Sequence, residues 1–205
     1  MKLYCLSSGP LKVNTYFLVN ETTKTAVVID SAENYKLIKN VEKENGFTIK
    51  YVLLTHAHFD HAGNVKKLQD DGVKILISKI DAPKLLNDLN LGKDFGRIFE
   101  YCVADQIFED GEELLLEGIK IKVIATPGHT DGSVTFLVDD MLFTGDTLFL
   151  ESIGRTDFPT GNREQLISSV KKLYALLGEY KVYPGHQDFT TLSHERKYNT
   201  FVDYD

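Results

Sequence analysis

Over the first third of the chain, apolar residues either alternate with polar ones or run in short β-branched and aromatic clusters. This pattern predicts strands at Val13–Val19, Thr25–Asp30 and Thr48–Thr55. Between the last two, Leu37, Ile38 and Val41 recur at helical spacing and Gly46 follows as a stop, so Glu33–Asn45 reads as a short amphipathic helix. A second helix is expected at Ala62–Asp70, a strand at Val73–Ile77, and a third helix opening at Asp81 with Pro83 in its first turn. The stretch Gly92–Gly111 has no clear periodicity. Beyond it, strands are expected at Glu112–Glu117, Ile119–Thr126, Ser133–Val138 and Met141–Gly145, with Glu117-Gly118 and Asp139-Asp140 as hairpin turns. Asn162 is placed to cap a helix, with Gln165 three positions on. Leu166, Val170, Leu173 and Leu177 then share one face up to Gly178, and a tail helix surrounds His194. Hairpins and helices mixed in this way fit two sheets with helices packed outside them better than a simple parallel doubly wound sheet.

The chain has 205 residues, 42% of them hydrophobic and 26% charged, which suits one ordinary globular domain spanning 1–205. Its formal net charge is -7, and no run of basic residues is longer than a pair, which argues against a nucleic-acid or anionic-membrane surface. Cys5 and Cys102 are too few for a disulfide framework and read as small buried hydrophobes. The start of the chain has no apolar signal core, and no apolar run approaches the roughly 18 residues of a membrane span, so a cytoplasmic location is expected. The chemistry concentrates elsewhere: of six histidines, five fall in three short motifs, and His194 alone reads as a surface residue.

Thr55–Asn64 reads THAHFDHAGN and packs His56, His58, Asp60 and His61 into one predicted strand-to-helix junction. Imidazole and carboxylate are the donors that zinc, iron or manganese accept, and the lack of a cysteine among them disfavours a thiolate site. Any one of these histidines alone would read as a loop or core residue. Four titratable groups together would be costly to desolvate without a cation. TPGHTDGS presents His129 just after a strand, VYPGHQD does the same for His186, and FTGDTLF presents Asp146 at the end of another strand. Five histidines and two aspartates exceed what one four-coordinate ion uses, so two metals are implied. With Asp146 bridging, each ion keeps an open position for water, which it would acidify from about 15.7 towards about 7.

In order and spacing, these motifs resemble those of the metallo-β-lactamase superfamily over most of the chain. The resemblance implies an α/β, four-layer αββα sandwich with a dinuclear site at one edge of the sheets. Carried onto this sequence, it implies that His56, His58 and His129 hold one metal and that Asp60, His61 and His186 hold the other, with Asp146 bridging. AVVIDSA resembles the superfamily's first motif and gives Asp30 a supporting place behind the ligands. Class B β-lactamases usually have a cysteine at the place of Asp146 and a secretion signal, and this chain has neither, which points away from antibiotic hydrolysis. Flavodiiron oxidoreductases carry a glutamate at the place of His58, and ribonuclease members are larger.

Within the superfamily, GDTLF and SIGRTDFPTGN resemble the glyoxalase II group of hydroxyacylglutathione hydrolases, and the tail SHERKYN resembles its short bacterial branch. This implies hydrolysis of S-lactoylglutathione or a related thioester by a metal-bridging hydroxide that Asp60 orients and deprotonates. The cofactors would be two divalent ions, zinc first and iron or manganese next. The leaving thiolate, with an inherent pKa near about 8.5, departs with little help from an acid. Arg155 stands where these enzymes bind the glutathione carboxylate. A salt bridge from Arg155 to Asp157 is the competing reading. Nineteen residues follow His186, so the helical region completing the glutathione pocket in full-length enzymes is largely missing and the substrate stays open. The rival activity is an iron-dependent persulfide dioxygenase, a group sharing TPGHTDG, GD and GRTDF, in which one iron sits on the equivalents of His56, His129 and Asp146. The expected partner is a small anionic thioester, with no nucleic acid or membrane, and the chain is expected to be a monomer or homodimer.

Overall fold

A computed structural model describes residues 1–32 and 34–204, so Glu33, the predicted start of the first helix, lies outside the described residues. The first sheet follows chain order: β1 (Lys2–Ser8), β2 (Val13–Asn20), β3 (Thr25–Ile29), β4 (Thr48–Leu53), β5 (Lys74–Ser78) and β6 (Gln106–Phe108). The β1–β2 and β2–β3 pairs are antiparallel, and the pairs from β3 to β6 are parallel. Helix α1 (Tyr35–Asn45) links β3 to β4, and α2 (Phe59–Ala62) and α3 (Val65–Asp70) link β4 to β5. Asn34 caps α1 through Leu37 N, and Gly46 ends it in the left-handed region that the sequence anticipates.

The second sheet holds β7 (Glu113–Leu116), β8 (Ile119–Ala125), β9 (Val134–Val138) and β10 (Met141–Gly145) as an antiparallel meander. A small ribbon of β11 (Leu148–Phe149) and β12 (Ser152–Ile153) follows, then α4 (Arg163–Tyr174). This crossover lays β13 (Lys181–Pro184) parallel to β10, with β14 (Thr190–Thr191) at the edge and α5 (Leu192–Tyr198) behind.

Strand periodicity decides the layering. On β2, Phe17 and Val19 face α1 and α3 with Val28, Ile38, Val65 and Leu68, whereas Tyr16 and Leu18 face the second sheet with Phe136 and Phe143. A third apolar layer packs Leu166, Val170 and Leu173 of α4 against Leu142 and Val182. The result is the four-layer αββα sandwich.

Four local expectations are corrected: first, Cys5, read as a small buried hydrophobe like Cys102, is exposed on edge strand β1. The helix at Ala62–Asp70 is broken at Gly63–Asn64, where Asn64 turns its amide to Ala32 O and ties the helix to the end of β3. The element after Asp81 is a 3₁₀ turn over Ala82–Leu86, and the Asp81 carboxylate serves other loops instead of capping it. Leu177 is 93% exposed, because α4 ends at Tyr174 and Tyr174 itself, 1% exposed, takes the last core position.

Gly128 joins the second sheet to α4. Its φ is 137°, and a Cβ there would run into the backbone of Leu166. Gly128→Ala is therefore expected to cost about 3 kcal/mol, roughly 6–12 °C of Tm in a domain of this size. Thermal unfolding within 2 °C of the parent, as a measured shift, would contradict this.

Candidate metal centre

Each side chain of the centre leaves the C-terminal end of a strand. Asp30 follows β3 with a φ of 55°, which turns the chain sharply at the sheet edge. Thr55, His56 and His58 follow β4, and Asp60 and His61 lie on the single turn of α2. His129 follows β8, Asp146 follows β10 and His186 follows β13. The two sheets are joined at this edge, where Val134 N donates to Thr55 O at 2.9 Å. Gly185 has a packing role as well as a turn role: a Cβ there would meet Asp146 Oδ1 and His61 Cε1.

All seven sequence-predicted ligands converge. His56, His58 and His129 offer nitrogen atoms within 4.8 Å of one another, and so do the donor atoms of Asp60, His61 and His186. Asp146 lies between the groups: Oδ1 is 3.2 Å from His61 Nε2, and Oδ2 is 3.4 Å from His129 Nε2 and 3.6 Å from His186 Nε2. Asp60 Oδ2 is 3.4 Å from His186 Nε2 and 3.7 Å from His61 Nε2.

The surroundings fix which nitrogen each imidazole presents. His61 Nδ1 donates to Asp30 Oδ2 at 2.8 Å, His129 Nδ1 to Arg155 O at 2.8 Å, and His186 Nδ1 to Leu11 O at 2.9 Å. Thr55 Oγ1 donates to Asp30 Oδ2 at 2.8 Å, which leaves it to accept from His56 Nδ1 at 3.1 Å. In these four histidines Nε2 is therefore the atom turned inward to take a cation or a proton. His58 instead brings Nδ1 to 2.9 Å from His129 Nε2.

Buried polar atoms ordinarily have partners, but among the described residues His56 Nε2, His58 Nε2 and Asp146 Oδ1 have no hydrogen-bond partner. Burial, followed by the neighbouring histidines, pushes the His56 imidazole well down and the His58 imidazole to about 3, so both are neutral donors at pH 7. Burial opposes ionisation of Asp146 and Asp60, yet the surrounding histidines hold both below the usual carboxylate range. Against the same burial, Asp146 and its fellow carboxylates raise His61 and His186. Neutral imidazoles at His56 and His58, ionised carboxylates and unpartnered donor atoms in one buried space are the donor set of a divalent cation.

A cavity of about 380 Å³ opens over the cluster, walled by Leu91, Phe95, Ile153 and Phe158 and edged by Arg155. Phe95 packs between Phe59, tilted at 5.1 Å, and Phe158, edge-on at 5.8 Å, which gives the segment after Gly92 a place in the cavity wall. The Arg155 guanidinium binds Asp157 at 2.7 and 2.6 Å and lies 3.9 Å over the Phe158 ring. The competing reading of Arg155, the salt bridge to Asp157, is therefore present, and the side chain also lines the cavity. His194 stands apart, with Nε2 2.9 Å from Glu151 Oε1.

Sequence reasoning missed several supports. Asp81, fully buried, accepts from Ala57 N at 2.9 Å and from Thr130 Oγ1 at 3.0 Å, clamping the loops of His58 and His129 together. Buried Lys84 balances its charge and reaches Asp131 as well. Only a helix-opening aspartate was visible in the sequence at this point. Thr55 stood in the sequence only as the first residue of THAHFDHAGN, and the carbonyls of Leu11 and Arg155 carry no motif signal.

The sequence profile of the metallo-beta-lactamase superfamily matches residues 8–186. The hydroxyacylglutathione hydrolase GloC of Haemophilus influenzae is 37% identical over 193 residues, covering 90% of this chain and 91% of that protein. The crystal structure of BLEG-1 B3 metallo-beta-lactamase superposes with a TM-score of 0.93 at 32% identity, covering 98% of this chain and 99% of that one. TTHA1623 in a di-iron-bound form gives 0.88 at 30% identity, covering 97% and 100%. ETHE1 from Myxococcus xanthus gives 0.82 at 29% identity, covering 98% and 84%. Profile, relatives and fold agree with the geometry of the centre: the chain belongs to the metallo-beta-lactamase superfamily.

Proposed function

We propose that this protein is a metal-dependent thioester hydrolase of the glyoxalase II kind, acting on S-lactoylglutathione or a related acyl thioester. One observation carries the reading: five histidines and two aspartates form three overlapping donor groups, one of which joins Asp146 to His56 and His61, at the floor of an apolar-walled cavity. The likeness to a hydroxyacylglutathione hydrolase supports the substrate class. On this reading His56, His58 and His129 would hold one ion and Asp60, His61 and His186 the other, with Asp146 available to both, while Asp30 and Thr55 orient His61 and His56 from behind. Two divalent ions, zinc first, supply Lewis acidity and lower the pKa of a water to about 7 when bound.

The remaining tasks belong to the chain. Asp60, kept ionised beside His61 and His186, orients the attacking water and takes up its proton. Leu91, Phe95 and Phe158 shield the acyl carbon from bulk water. Arg155 faces the anionic thiol part of the substrate, on the condition that Asp157 shares it. No acid is required for the leaving group, because a thiolate of pKa about 8.5 departs unaided near neutrality. The GRTDF string, Gly154–Phe158, supports the iron-dependent persulfide dioxygenase as the second reading.

Purified protein should contain close to two zinc or mixed divalent ions and cleave S-lactoylglutathione, and Asp146→Ala should lose both properties. One iron per chain, oxygen uptake with glutathione persulfide and no thioesterase activity would replace the hydrolase by the dioxygenase. Turnover of a β-lactam without thioester cleavage would overturn both. Asp30→Ala removes the acceptor of three hydrogen bonds at the centre and should weaken metal affinity by about 10- to 100-fold. Unchanged affinity in a chelator competition would refute that role. Arg155→Ala should chiefly raise KM for glutathione thioesters, and an unchanged KM removes Arg155 from the substrate site.

A further inference from the structure

A second cavity, of about 560 Å³, adjoins the centre and shares Gln187 with the metal cavity. Its lining includes Lys12, Ser7, Asn14, Asp188 and Phe189. Lys12 and Asp188 bring opposite charges to one space. Among the described residues, neither side chain enters a hydrogen bond or ion pair. Arg155 differs, since two of its nitrogen atoms are committed to Asp157 and its face to Phe158.

The loops carrying these charges are held in place. Lys12 has a φ of 52° and Gln187 a φ of 68°, left-handed conformations that cost a non-glycine residue of order 1 kcal/mol. Lys12 N donates to Gly9 O at 3.1 Å, and Ser7 Oγ donates to Lys12 O at 3.2 Å. Buried Asn14 donates through Nδ2 to Gln187 O at 2.9 Å. The neighbouring carbonyl, Leu11 O, accepts from His186 Nδ1. A group seated in this cavity is thereby registered against the metal centre.

We infer that this cavity is a binding subsite for a zwitterionic α-amino-acid group, its carboxylate on Lys12 and its ammonium on Asp188. An unpaired cation, an unpaired anion, an amide and a hydroxyl around one space match that group. A plain acyl chain would use none of them. The inference rests on the thioesterase reading and deepens it: with the acyl carbon at the metals, the cavity takes the γ-glutamyl end of a glutathione thioester.

The test uses the metal-loaded full chain. Lys12→Met should weaken binding of S-methylglutathione, measured by calorimetry, about 10-fold, the scale of one charge-assisted hydrogen bond. Lys12→Arg should retain it. In Lys12→Met, KM for S-lactoylglutathione should rise similarly, with kcat and the KM for the neutral thioester S-lactoyl-N-acetylcysteamine within twofold of the parent. Asp188→Asn should weaken S-methylglutathione but leave its N-acetylated derivative, which lacks the ammonium, unaffected. Unchanged binding in both variants, or an equal KM rise for the neutral thioester, would overturn the subsite. If the variants lose S-methylglutathione while the parent cleaves no thioester, the hydrolase reading fails and the subsite stands. If the parent cleaves thioesters and the variants bind as it does, only the subsite fails.

Discussion

Five imidazoles and two carboxylates share one largely buried space, and their mutual electrostatics constrain everything around them. Burial favours neutral groups, yet the histidines keep Asp60 and Asp146 ionised and the carboxylates draw positive charge towards His61 and His186. Such a cluster is costly unless a cation answers it. Among the described residues, Nε2 of His56 and Oδ1 of Asp146 have no hydrogen-bond partner, which suits donors to such a cation. The rest of the chain can be understood as the means of holding these seven groups at that spacing.

The sandwich does this by ending its central strands at a common edge and tying the loops beyond them to one another. Asp30 holds Thr55 and His61, Asp81 holds the loops of His58 and His129, and the carbonyls of Leu11 and Arg155 set the ring orientation of His186 and His129. Asp81 is a buried carboxylate offset by buried Lys84, an arrangement that adds little net stability but is expensive to break, which suits a clamp. Where backbone must come closest, as at Gly185 against Asp146 and His61, no side chain fits. The cavity wall draws on a different region again, through Phe95 and Phe158.

Much of this was legible in the sequence because its causes are local. Strand periodicity placed β2, β3, β4 and β8 to within a residue or two, Gly46 and Asn162 marked helix ends, and the motif histidines stood out by spacing alone. What escaped depends on tertiary contacts. The split between α2 and α3 follows from Asn64 reaching Ala32, and the early end of α4 leaves Leu177 in solvent with Tyr174 in the core. The role of Asp81 depends on two loops distant in sequence, and the supports from Leu11 and Arg155 are main-chain atoms that any residue supplies. Arg155 itself illustrates the limit: the resemblance suggested a carboxylate-binding role, and its bidentate pairing to Asp157 was one of two alternatives until the loop was seen.

The central claim is that the cluster is built around two cations sharing Asp146. Anomalous X-ray scattering at the metal edges from crystals of the metal-loaded protein tests it most directly. The account predicts two peaks, one among His56, His58 and His129 and one among Asp60, His61 and His186, with Asp146 in contact with both. A single fully occupied peak, with the other group empty at saturating metal, would contradict it.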